Sequence, residues 1–258
     1  MRVREFLAFL NKLYPLERKE IWDPSGLSVK ANQNKKFTGA VLAIDITNEV
    51  VDFTIENKCN VILTHHPFFF EKTRELEWIK APYKKELASK MLQNGISGFA
   101  MHTNYDIDIY GTSYQILRYL GWEHFYNYGS PSYSALATVK TSFNDVVARL
   151  QNNLNLSEFR TNVEAQNFDK PIEKIAFLSG SGYIGEITQI AKKGIDLIVS
   201  SDFKWSDWIV FNQNKIPILE IPHLDEEVFA YHLLELLQAK LPEFKFLLKK
   251  TKVPYKNL

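Results

Sequence analysis

Four of the six histidines stand where short apolar runs end, and these ends carry the chemistry of the chain. Val61-Ile62-Leu63-Thr64 stops at His65-His66-Pro67, and the run from Ile96 to Met101 stops at His102-Thr103-Asn104-Tyr105-Asp106. A third such end reads His223-Leu224-Asp225-Glu226-Glu227. His65, His66, Asp106, His223 and Glu227 together offer imidazoles and carboxylates without thiolates, a donor set suited to Zn, Fe, Mn, Co or Ni. Five protein ligands exceed the three of a mononuclear catalytic zinc site. With Asp106 and Glu227 able to bridge, two divalent ions per chain, about 3.5–4 Å apart, are the natural arrangement. Such a pair lowers the pKa of a bound water and holds both attacking and leaving oxygens.

Each motif taken singly also has a plain structural reading. A His-His pair can simply pack. Asn104 and Asp106 are common turn and capping residues. The acids after His223 suit a helix start, where carboxylates favour the dipole. The His-Glu-x-x-His pattern of zinc proteases is absent. Ser179-Gly180-Ser181-Gly182 could cradle a phosphate at a helix N-terminus, yet it lacks the Gly-Lys-Ser/Thr ending of a P-loop; such glycines more often permit a tight turn near a crowded centre. Phe68-Phe69-Phe70 can line a substrate or pack as core or subunit contact, and Trp205 and Trp208 can stack a base or pack. The lysines at 245, 249, 250, 252 and 256 read as a solvated face.

The elements that must position these groups are those of an α/β protein. Residues 3–13 have helical spacing (Phe6, Leu7, Phe9, Leu10, Leu13). Ala40–Ile46 is a strand, and Thr47 or Asn48 caps a helix running to about Lys58, followed by the Val61–Thr64 strand. This β-α-β unit implies a parallel sheet, and ligands bind at the carboxyl ends of such strands. Glu71–Glu77 reads as a mobile loop, and residues 82–94 and 112–120 as helices. Residues 122–134 are a turn-rich connection, Ala135–Val139 a strand, and residues 143–154 a helix capped by Ser142 or Asn144. Ala40–His66 overlays Ala176–Asp202 without a gap, and His102 and Asp106 match His223 and Glu227, which points to an internal duplication. The expected divisions are residues 1–124 as a first α/β half, 125–170 as a short connection and 171–258 as a second half.

The totals bound the function. The 258 residues can bury an ample core, and 31 basic against 30 acidic residues leave a net charge of +1, which argues against nucleic acid as a partner. The single cysteine, Cys59, excludes an internal disulfide and a thiolate-rich zinc site. No apolar span is long enough for a membrane helix and the N-terminus lacks a signal core, so a soluble, cytoplasmic protein is expected.

At these residues the chain resembles the Nif-three-like family, the type 2 homologues of GTP cyclohydrolase I. Trp22-Asp23-Pro24-Ser25-Gly26-Leu27 is similar to the family's Trp-Asp-Asn-x-Gly-Leu motif, with Pro24 in place of Asn. Thr64–Pro67 and His102–Asp106 resemble its N-terminal metal motifs, Ser179–Gly182 its glycine-rich turn, and Pro222–Glu227 its Gly-His-x-x-x-Glu motif, with Pro222 in place of Gly. The resemblance implies a duplicated α/β/α fold around a two-metal site, with ligands at His65, His66, Asp106, His223 and Glu227. It also implies a homohexamer, a trimer of dimers, and a metal-dependent hydrolase of a nucleotide or small phosphorylated substrate. One departure stands out: Ser206 occupies the position where the family often has His in Gly-Asp-x-x-x-His. With that imidazole missing, His102 is the remaining acid/base candidate. A non-catalytic hexameric metal-binding scaffold that binds macromolecules is the rival reading.

Overall fold

The computed structural model describes residues 1–256, which form two compact units, each built on its own five-stranded sheet. The first unit comprises Met1–Asp108 and Phe229–Lys252, and the second Ile109–Val228 with the C-terminal residues from Val253. The unit boundary thus falls at Asp108 rather than at residue 124, and a segment placed in the second half by sequence belongs to the first unit.

In chain order the first unit begins with α1 (Val3–Leu13), β1 (Gly26–Val29), β2 (Ala40–Ala43), α2 (Asn48–Glu56), β3 (Val61–Thr64), α3 (Arg74–Lys80), α4 (Tyr83–Gln93), β4 (Ser97–Ala100) and α5 (Thr103–Asp106). The second unit carries α6 (Thr112–Tyr119), β5 (Ser134–Thr141), α7 (Phe143–Leu154), β6 (Arg160–Thr161), β7 (Ile172–Ser181), α8 (Ile184–Ala191), β8 (Leu197–Ser201), α9 (Trp205–Gln213) and β9 (Ile218–Glu220). A 3-10 turn at His223–Glu227 leads into α10 (Val228–Lys240), and β10 (Phe246–Leu248) follows.

The first sheet has the order β1-β4-β3-β2-β10. Its β10, β2, β3 and β4 run parallel, and β1 lies antiparallel on β4. Parallel strands covered on both faces must be apolar throughout, which is why Ala40–Ala43 and Val61–Ile62-Leu63 show no polar alternation. Ala40, Leu42, Val61 and Leu63 pack with Phe6 and Leu10 of α1 and Phe229, Leu233 and Leu237 of α10. Val41, Ala43 and Ile62 pack on the other face with Val50 and Val51 of α2 and Leu87 and Met91 of α4. Each fully buried Leu, Ile or Val contributes about 1.5–3 kcal/mol. Thr47 caps α2 by accepting from the Val50 N–H at 3.3 Å.

The stretch Glu71–Glu77, expected as a loop, is partly helical. Thr73 caps α3, accepting from the Leu76 N–H at 3.3 Å, and Glu77 turns inward, where it accepts the Phe70 and Glu71 N–H groups at 2.7 and 2.8 Å and pairs with Lys84. Strand β2 stops at Ala43, short of Ile46, because the chain bends at Asp45 to meet His66.

The second sheet has the order β5-β7-β8-β9-β6. Here β7, β8 and β9 are parallel, and β6 lies antiparallel on β9. Each unit therefore has three successive parallel strands with an earlier strand antiparallel on the third, the signature of a duplication. The edges differ: β10 joins β2 in parallel, whereas β5 joins β7 antiparallel. The ungapped overlay also slips by one residue. Ala40 pairs with Val61, but its counterpart Ala176 pairs with Ile198 rather than Leu197.

Candidate metal centre

In the first unit the carboxyl ends of β3 and β4 carry the site. The His66 N–H donates to the Ile44 carbonyl at 3.0 Å, and the Thr64 hydroxyl donates to the His66 carbonyl at 2.9 Å, so the His65-His66 turn is held rigidly. His102 follows β4 and precedes α5. The three imidazoles converge. Ring centroids lie 5.2 Å (His65–His66), 5.1 Å (His65–His102) and 5.8 Å (His66–His102) apart. One ligand nitrogen from each falls within 4.8 Å of the others, close enough to share an ion.

The contacts behind these rings set which nitrogen faces the centre. His65 is wholly buried, and its Nδ1 lies 3.1 Å from the Met101 carbonyl, which can only accept. Nδ1 therefore carries the proton and Nε2 presents a lone pair. That lone pair faces Asp106 Oδ1 at 3.7 Å. Two electron-pair donors at this separation suit one divalent ion bound by each at about 2.1 Å. His66 Nδ1 donates to Asp45 Oδ1 at 2.9 Å, which again leaves Nε2 as the ligand atom. Phe229 and Tyr105 wall His65 from behind, with centroids at 5.0 and 6.4 Å. The donor set thus fits a borderline divalent ion. Cys59 takes no part, because it is buried in the apolar cluster between the sheet and α2 and α4. Asp45→Asn is expected to weaken divalent-metal affinity 10–100-fold, the usual effect of losing a partner behind a ligating histidine. Competition with a chromogenic chelator measures it, and unchanged affinity would remove Asp45 from the account.

His102 is oriented by a residue that sequence reading did not single out. Asp23 is buried and lies 3.5 Å from His102 Nδ1. Its carboxylate accepts from the Ser25 N–H at 2.8 Å, the Thr103 N–H at 3.0 Å and the hydroxyls of Ser25 and Thr103. Burial pushes this carboxyl up, but the contacts with His102, Thr103 and Ser25 outweigh it and hold the group well below the usual range. The signal was present in Trp22-Asp23-Pro24-Ser25-Gly26-Leu27, where an acid sits among turn residues.

The second unit places His223 between carboxylates. Nδ1 lies 2.7 Å from Asp202 Oδ2 and Nε2 lies 2.9 Å from Glu226 Oε2. Burial opposes the charged imidazole, yet Glu226 and Asp202 prevail and push its pKa up to about 12. Asp225 is buried, and desolvation, then the neighbouring Glu226, raise its carboxyl far above the ordinary value. Sequence reading chose Glu227 as the acid of this motif; Glu227 is buried, and its neighbour Glu226 contacts the imidazole through Oε2. Asp202 stands where the first unit has His66, and like Asp45 it anchors a histidine. The glycine-rich turn serves close packing: a Cβ on Gly180 would lie 2.1 Å from Glu226 Oε1. Ser206 is exposed on α9, its hydroxyl 3.4 Å from Asp207 Oδ1.

Comparison with known proteins places the chain in a family. The DUF34/NIF3 family (NGG1p interacting factor 3) matches residues 1–257. The chain belongs to this family. A relative from Mycoplasmopsis pulmonis, named GTP cyclohydrolase 1 type 2 homolog, is 36% identical over 255 residues, covering 96% of this chain and 97% of the relative. The fold is that of a Staphylococcus aureus protein of known crystal structure, with a TM-score of 0.85 at 22% identity over 100% of this chain and 99% of the other. A Bacillus cereus protein related to NIF3 gives a TM-score of 0.81 at 17% identity, again covering 100% and 99%. Among the described residues, no helix is long and apolar enough to cross a membrane.

Proposed function

We propose that this DUF34/NIF3 chain is a cytoplasmic metal-dependent hydrolase of a nucleotide or small phosphorylated molecule. It would hold two divalent ions per chain, with ligands drawn from His65, His66, Asp106, His223 and Glu227. The observation that carries the reading is the convergence of His65, His66 and His102 at strand ends, with Asp106 facing His65 Nε2 at 3.7 Å. Bound divalent ions supply a water of lowered pKa and positive charge for phosphate oxygens. Met101 and Asp45 keep the protons of His65 and His66 on Nδ1, so both Nε2 atoms remain available to bind. The Asp23 carboxylate lies 3.5 Å from His102 Nδ1, beside a ring placed to act as a third ligand or as the group that relays a proton. The relatives' name makes GTP ring opening the specific reaction to try first.

The test is turnover of a nucleotide panel by metal-loaded protein and by His66→Ala. A loss of at least ~100-fold is expected from removing a ligand, since losing only a supporting partner costs 10–100-fold. Equal rates in the two proteins would sink the enzyme reading. A second reading, a homohexameric scaffold, is favoured by the exposed Ser206 at the position of the family's histidine. Chelation that dissociates the oligomer while no substrate is consumed would support it.

A further inference from the structure

Two segments of the first unit are folded opposite to ordinary burial. Across residues 21–25 the polar Asp23 and Ser25 are buried, while Ile21 and Trp22 are exposed, Trp22 at 64%. In Phe68-Phe69-Phe70 the first two rings are buried and the third is 42% exposed. Both outward rings stand against His102. The Trp22 centroid lies 5.9 Å from the imidazole at 77°, and that of Phe70 lies 5.9 Å away at 87°.

Both are held from behind. The Asp23 N–H donates to the Glu20 carbonyl at 3.0 Å, and the buried Asp23 carboxylate gathers the N–H groups of Ser25 and Thr103, which pins the chain beside Trp22. The Phe70 N–H donates to the buried Glu77 carboxylate at 2.7 Å, and Arg74 lies 3.3 Å over the Phe69 ring, keeping Phe69 inward. Rigid aromatic faces give large contact area at little entropic cost, and exposed large apolar side chains grouped together mark binding surfaces.

We propose that Trp22 and Phe70 bind the planar heteroaromatic ring of the substrate, whose anionic group goes to the metal centre. This rests on the metal-dependent reading above and adds a substrate class: a ring-bearing, nucleotide-type phosphate rather than a sugar phosphate or a polyphosphate. The imidazoles and Asp106 serve the anion through the ions, and the two rings select the base.

Calorimetry with GTP and with inorganic triphosphate tests this on metal-loaded wild type, Trp22→Ala, Phe70→Ala and Trp22→Phe, with elemental analysis and light scattering of each. Metal content and triphosphate affinity are expected to stay unchanged. GTP affinity should fall about 10-fold in each alanine variant, the scale of one lost base–aromatic stack, and recover in part with Trp22→Phe. The proposal is overturned if wild type binds GTP no more tightly than triphosphate, or if the alanine variants bind GTP normally, whether or not their oligomer dissociates. It is also overturned if they lose metal or lose both ligands equally. Wild type that holds neither metal nor triphosphate refutes the metal-dependent reading itself. Metal-loaded protein that binds triphosphate but gains nothing from the base refutes the aromatic subsite alone.

Discussion

Gly180→Ala is expected to destabilise the second unit by about 3 kcal/mol and to displace Glu226 from His223. Two effects add. Gly180 has φ +58°, a left-handed conformation that costs an alanine roughly 1–2 kcal/mol. The new Cβ would also lie 2.1 Å from Glu226 Oε1 and 3.3 Å from His223 Cε1, so the buried carboxylate has to move and give up its contact with the imidazole. Gly95→Ala provides the comparison. Gly95 has φ +69° with nothing within 4 Å of its added Cβ, so it isolates the backbone cost. Urea denaturation of both variants measures the difference. If Gly180→Ala loses no more stability than Gly95→Ala, the glycine-rich turn is not there to admit the His223 cluster.

Asp23→Ala is expected to cost at least about 3 kcal/mol and to release His102. It strands the N–H groups of Ser25 and Thr103, each costing roughly 1–3 kcal/mol when buried without an acceptor. The hydroxyls of Ser25 and Thr103 lose the same acceptor, and His102 loses the carboxylate 3.5 Å from Nδ1. Ser25→Ala, which removes one hydroxyl donor and leaves the carboxylate, should cost only about 1 kcal/mol. A pH signature accompanies this. The folded-state pKa of Asp23 lies below its ordinary value of 3.8, so its stabilisation is fully present above that pH and is lost as pH falls through the acid range. Acid unfolding followed by circular dichroism should therefore be less steep below pH ~4 in Asp23→Asn than in the wild type. Equal steepness would mean that Asp23 is not held ionised by these contacts.

Much of the fold was legible because its determinants are local. Strands β2 and β3 announce themselves as short apolar runs, and Thr47 and Ser142 cap helices through N–H groups three residues ahead. The His-His pair and His102 could be placed at strand ends because Pro67 and the Asn104–Asp106 turn residues stop the apolar runs. The glycine-rich turn was visible as a turn, but not the carboxylate that requires it. The helix at Arg74–Lys80 was missed because what draws it in is a single buried acid, Glu77, answering N–H groups of Phe70 and Glu71.

What the sequence by itself determined is the donor chemistry: imidazoles and carboxylates, without thiolates, at the ends of strands in a repeated α/β pattern. Tertiary structure alone decided which groups orient those donors. Asp23 meets Thr103 across 80 residues of chain, and Asp45 meets His66, as Asp202 meets His223, across 21. It also set Glu226 against the other face of His223, turned Trp22 and Phe70 outward, and returned β10 to β2. The reason is physical. A buried carboxylate is tolerated only where donors from distant segments converge on it, and no local pattern records that convergence.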